Sequence, residues 1–80
     1  MNVANVRKLA ETHTRPQLEA CLTAAINGQP NSCTILGTPE DQLNDLAKAE
    51  FVRGKIDDGM TPQLAMRDLA ARMRKAQGAS

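Results

Sequence analysis

The residues able to do chemistry are few. One histidine and two cysteines, His13, Cys21 and Cys33, are the only imidazole and thiol groups in the 80 residues. Their types suit zinc, but no two of them stand at the short spacing that makes a metal set. Eleven residues lie between the cysteines, with no C-x-x-C and no second pair, so no redox motif is written there. The chain opens on Met1-Asn2-Val3-Ala4-Asn5, without the basic and apolar regions of a secretory signal, and a cytoplasmic protein with two free thiols is the expectation; a disulfide is the geometric alternative, since Cys33 follows the loop that returns from the second helix. Cys21 then reads as a small buried hydrophobe and Cys33 as the more exposed thiol. His13 extends an apolar stripe and ends a helix, where an imidazole packs and meets free carbonyls.

Other catalytic arrangements fall away in turn. A Cys–His or Ser–His pair would have to use His13, and neither cysteine lies in a sharp strand-to-helix turn. The five glycines are dispersed and make no phosphate loop. The acid pairs Glu40-Asp41 and Asp57-Asp58 fall at helix ends, where solvent would not separate their pKa values. The expectation is a protein that is not an enzyme, with no cofactor, no metal and no small-molecule substrate.

The elements that position these residues are read from punctuation and periodicity. Val3, Val6, Leu9 and Ala10 form one stripe on a first helix over about 3–13. Thr14-x-x-Gln17 is a capping box, with Pro16 in the first turn, and starts a second helix over 15–27. Its apolar face is Leu18, Cys21, Leu22, Ala25 and Ile26, and Gly28 supplies the terminating left-handed residue. Residues 28–38 form an irregular loop, in which Cys33-Thr34-Ile35-Leu36 is a short apolar run folding Ile35 and Leu36 over the helices.

Thr38-Pro39-Glu40-Asp41 begins a third helix over 39–58, with a hydroxyl cap, Pro at the first position and acids near the positive end of the dipole. Leu43, Ala47 and Gly54 face one way; Ala49, Val52 and Ile56 face nearly the other; Leu46 and Phe51 lie at the flanks. A helix apolar on two sides is covered on two sides. This is the central helix, with Ala47, Ala49 and Gly54 letting neighbours come close and Phe51, the sole aromatic, as packing anchor. Thr61-Pro62 opens a fourth helix over 62–77, whose apolar face of about 140° holds Ala65, Met66, Leu69, Ala70, Met73 and Ala76.

The fold class is therefore all-α: one compact four-helix domain over 1–80, with 78–80 as a frayed tail. No apolar run approaches the roughly 20 residues of a bilayer crossing. One aromatic cannot build a base-stacking platform, which excludes the single-strand and RNA-binding sheets. Formal charge is +1 overall but uneven: +1 over residues 1–37, −3 over 38–60 and +3 over 61–80. The even-handed reading is complementarity between neighbouring helices; the functional one is a cationic face on the last helix.

Two functions follow. A protein–protein interaction module, self-associating or an accessory subunit, would use Met66, Arg67, Met73 and Arg74 of the last helix, with Ile35 and Leu36 of the loop. Its partner is another protein or a second copy. The alternative is a small regulator that binds duplex DNA. Helix, short turn with Gly59, then amphipathic helix over 51–75 has a helix-turn-helix outline, with Gln63, Arg67, Arg74 and Lys75 as the contacting residues. Lys55 opposes this alternative, because it stands four before the glycine, where that motif wants a small residue. So does the modest net charge.

Overall fold

In the computed structural model, which describes residues 3–29, 33 and 38–78, with side chains as far as residue 75, four helices follow one another: α1 (Val3–Thr12), α2 (Arg15–Ile26), α3 (Pro39–Asp57) and α4 (Pro62–Gly78). Each start is written in local chemistry. At α2, the Thr14 N–H donates to Gln17 Oε1 at 2.8 Å while the Gln17 N–H donates to Thr14 Oγ1 at 3.4 Å. At α3, the same reciprocal box joins Thr38 and Asp41, at 3.3 and 3.2 Å. At α4, the Leu64 N–H donates to Thr61 Oγ1 at 3.3 Å. These oxygens satisfy N–H groups that have no carbonyl partner inside the helix.

Two helices stop in the same manner. Gly28 and Gly59 have φ of 69° and 99°, the left-handed region that costs a glycine nothing. The chain after each folds back, with Gln29 N–H to Ala24 O at 2.8 Å and Met60 N–H to Lys55 O at 3.0 Å. With the accompanying Gly28-to-Ala25 and Gly59-to-Ile56 bonds, both ends are Schellman motifs.

α3 packs against all three other helices, whereas α2 and α4 do not touch among the described residues. The two-sided pattern thus marks the central helix. The assembly is a slab of 33 × 32 × 18 Å, with α3, about 28 Å long at 1.5 Å per residue, spanning it. The core is Val6, Leu9 and Ala10 of α1, Leu18 and Cys21 of α2, Leu46, Ala49 and Val52 of α3, Ala65 and Leu69 of α4, and Cys33.

The structure departs from the sequence expectations at several side chains. Val3 and Ile26 are 55% and 66% exposed, because the stripes of α1 and α2 run past the end of the surface that covers them. Ala47 is exposed, and Asp45, on nearly the opposite side of α3, is only 3% exposed. Among the described residues no buried side-chain nitrogen or oxygen lacks a hydrogen-bond partner, so this acid is accommodated. The fully buried anchors are Leu18, Leu46, Val6 and Val52; Phe51 is only half-buried, at the edge of the core. Ile35 and Leu36 lie outside the described residues, as do 79 and 80 of the expected tail; Gly78 closes α4.

Candidate functional site

The cysteines differ most from expectation. Cys21 and Cys33 are joined by a disulfide, with Cα atoms 6.1 Å apart, and both are buried. The expectation of two thiols came from the absence of a secretory signal. The returning connection after α2, which left a disulfide geometrically open, brings Cys33 to the face of α2 that carries Cys21. Their sulfurs are spent on each other, so His13, Cys21 and Cys33 are not brought together as a ligand set. The His13 ring stays local: Nδ1 lies 2.9 Å from Thr12 Oγ1 and 3.3 Å from Leu9 O. The Thr12 hydroxyl donates to Lys8 O at 2.7 Å, which leaves its oxygen as an acceptor and assigns the proton to Nδ1. His13 therefore closes the end of α1.

The two helices of the helix-turn-helix outline are bound to each other by charge as well as by apolar contact. Lys55 Nζ is 3.4 Å from Asp68 Oδ2, and it also stands 5.5 Å from the centroid of the Phe51 ring. Arg72 of α4 lies over that ring at 4.9 Å. Phe51 thus sits between two cations, an arrangement favoured by the negative face of the ring. Lys55, expected to obstruct close approach of α3 and α4, lies half-buried along the contact with its ammonium paired.

Turning Asp68 and Arg72 toward α3 leaves the far side of α4 to other residues. Gln63, Arg67 and Arg74 are exposed and share one stripe, separated by four and then seven residues, with half-buried Ala70 between the arginines. No acid stands on that stripe, and neither Arg67 nor Arg74 forms an ion pair among the described residues. Met66 and Met73 border it, half-buried and packed against the core. Lys75 is exposed on a different side of the helix, and Leu64 adds a side chain 49% exposed. The structure therefore separates the expected contact residues: two arginines and Gln63 on a free stripe, two methionines at the core edge, Lys75 apart.

Elsewhere several acids are engaged. Arg7 pairs with Glu11 at 2.7 Å and Arg53 with Asp57 at 3.0 Å. Asp57, an acid at the negative end of the α3 dipole, is thus neutralised from one turn earlier. Arg15 reaches Glu50 at 3.9 Å. Burial, then the charge of Glu19 and a hydrogen bond with it, raises the Glu50 carboxyl above the ordinary carboxylate range, against the pull of Arg15. A shallow cavity of about 160 Å³ between the end of α2 and the start of α3 is lined by Ala25, Gly28, Gln29, Pro39 and Gln42, none of them titratable. Among the described residues no group of three His, Cys, Asp or Glu side chains stands ready for a metal ion, and no helix is long and apolar enough to cross a membrane.

Comparison with models of protein families, with curated proteins and with solved structures finds no match to this chain.

Proposed function

We propose that this chain is a non-catalytic interaction module that associates with further copies of itself through the free stripe of α4. The observation that carries this reading is the pair Arg67 and Arg74, exposed, unpaired among the described residues and with no acid on their stripe. A complementary surface exists on the same chain. Glu40 at the start of α3 and Asp58 at its end are exposed and take no part in an ion pair among the described residues, two separate acidic points that a second copy's arginines can meet. Opposite charges of this kind steer encounter and fix register, while a net charge of +1 offers little repulsion between copies. Met66 and Met73 supply adaptable apolar contact at the border of the stripe. Ile35 and Leu36, outside the described residues, are contact candidates on sequence grounds alone.

Light scattering over a concentration series tests this. The expected mass rises with concentration at low salt and less so at high salt. The double substitution Arg67→Glu, Arg74→Glu keeps the protein monomeric over the same range. A wild-type monomer at every concentration overturns the proposal, as does a variant that associates like wild type.

A second reading, binding to duplex DNA, is favoured by one feature: α3 and α4 are joined through the left-handed Gly59, and Gln63, Arg67 and Arg74 line the outer side of the following helix. Titration of fluorescent duplex at two salt concentrations decides it. Affinity must fall steeply with salt, by a slope of about −0.9 per phosphate neutralised. Absent or salt-indifferent binding excludes it. Both readings suit a cytoplasmic protein, where a disulfide is more often a reporter of redox state than a permanent staple.

A further inference from the structure

The bond between Cys21 and Cys33 occupies a particular place in the fold. Cys21 is in the middle of α2, and Cys33 stands five residues before Thr38, the cap of the central helix. The covalent ring therefore spans the whole turn at the end of α2 and ties α2 to the chain that leads into α3. Both ends of that connection have their own closures: the Schellman turn at Gly28 on one side and the Thr38–Asp41 box on the other. Opening the bond leaves those closures intact. What it removes is the tether.

The tether matters because the rest of the core is small. Its largest fully buried side chains are two leucines and two valines, and the bonded cysteines, at 2% and 5% exposure, are part of the same cluster. A chain of 80 residues buries a lower fraction of its surface than a larger one and holds little stability in reserve. Closing a ring over a sequence separation of 12 removes unfolded conformations on a scale comparable with that reserve. The folded population then follows the oxidation state of one pair of sulfurs.

We infer that Cys21 and Cys33 form a reversible redox latch, oxidised in the stable domain and reduced in a markedly less stable one. The oxidant is a low-molecular-weight disulfide of the glutathione class. The thiolate of one cysteine attacks a sulfur of that disulfide, whose S–S bond breaks; one small thiolate leaves and takes up a proton. The second protein thiolate attacks the mixed disulfide at the protein sulfur and expels the second small thiolate, which is likewise protonated. Two electrons pass from the protein dithiol to the small disulfide, giving one protein S–S bond and two small thiols. A dithiol reductant runs the sequence backwards. Since both sulfurs are buried in the bonded state, reduction requires local exposure of the bond, which makes it slower than exchange at an exposed disulfide.

The test uses the full chain equilibrated in glutathione buffers of graded oxidation, quenched by acid, alkylated and weighed. A single two-electron transition is expected, fully retraced when the order of buffers is reversed. Thermal melting of the oxidised protein should lie more than about 10 °C above that of the reduced protein. A Cys21→Ala, Cys33→Ala double variant should melt near the reduced wild type and ignore the buffer. Where that variant fails to fold, the wild-type melts at the two ends of the series carry the same comparison. Melting points within about 2 °C of each other overturn the latch, as does a bond that the native chain neither forms nor opens in any buffer.

Discussion

At the scale of single residues, three positions behave differently from what their type suggests. Phe51 is the largest apolar side chain, yet it stands half-buried between Lys55 and Arg72. Phe51→Ala should therefore cost about 2 kcal/mol, less than the ~3–5 kcal/mol of a fully buried ring. Phe51→Leu should lose only about 1 kcal/mol, mostly cation–π attraction. Urea unfolding of the two variants measures both, and a loss above about 4 kcal/mol for alanine would restore Phe51 as the anchor. Gly54 sits in the interior of α3 with ordinary helical geometry, and a Cβ there would meet only the Arg15 guanidinium, at 3.7 Å. That is van der Waals contact with the end of a flexible side chain. Gly54→Ala should thus stabilise the domain by about 0.5–1 kcal/mol, the helix preference for alanine. A lowered melting temperature would show that the close approach needs glycine.

Glu50 gives the pH dependence. Its folded-state carboxyl binds a proton more tightly than in the unfolded chain, chiefly through burial and secondly through Glu19. The stabilising contribution is therefore complete below the unfolded carboxylate range, near pH 4, and is lost as pH rises through the raised folded value. Glu50→Gln keeps a neutral partner for Glu19 at every pH. The variant should melt above wild type at pH 7, and the difference should shrink toward pH 4. An equal difference at both pH values would mean that the amide acts through packing alone.

At the scale of elements, the helices were legible because their ends are chemical. Thr14, Thr38 and Thr61 cap, Pro16, Pro39 and Pro62 follow, and Gly28 and Gly59 stop; all of this is local and survives into the structure. The apolar spacing also marked α3 as central. What spacing does not carry is where a neighbour ends, so Val3, Ile26 and Ala47 read as interior and stand exposed. Pairings between elements were equally silent. The disulfide was open from the returning loop but not decided by it, and the Asp68–Lys55 pair depends on how α4 rolls against α3. The stripe of Gln63, Arg67 and Arg74 was readable from their spacing; that it is free required knowing which way Asp68 and Arg72 turn. Another such pairing closes α1, which has no basic residue in its own last turn. Arg53 of α3 supplies one, donating from Nη1 to Ala10 O at 3.3 Å, where positive charge meets the negative end of the dipole. Arg53→Met keeps the stem but drops this donor and the Asp57 pair, and should cost about 1–2 kcal/mol in urea unfolding.

At the scale of the whole molecule, the attachments are unequal. α2 and α3 are held by a shared core face and, through Cys33, by a covalent link to the lead-in of α3. α4 adds two buried side chains, Ala65 and Leu69, the half-buried Met66 and Met73, one ion pair to α3 and the Arg72 contact on Phe51, and does not touch α2 among the described residues. A partly exposed ion pair and a cation–π contact are each worth about 1 kcal/mol. α4 can therefore detach while α1, α2 and α3 keep most of their mutual contact, and the free energy of that opening must lie below that of global unfolding. Native-state hydrogen exchange should show amides in the middle of α4 exchanging at least tenfold faster than those of α3 around Leu46 to Val52. Charge reversal at Lys55 should widen that gap by repelling Asp68, leaving the α2 amides unchanged. Equal protection in α3 and α4 would instead make the four helices one cooperative unit. The self-association proposed for the α4 stripe predicts a further change in the same measurement: as concentration rises, protection should increase in α4 first, because a second copy covers the element that opens most easily.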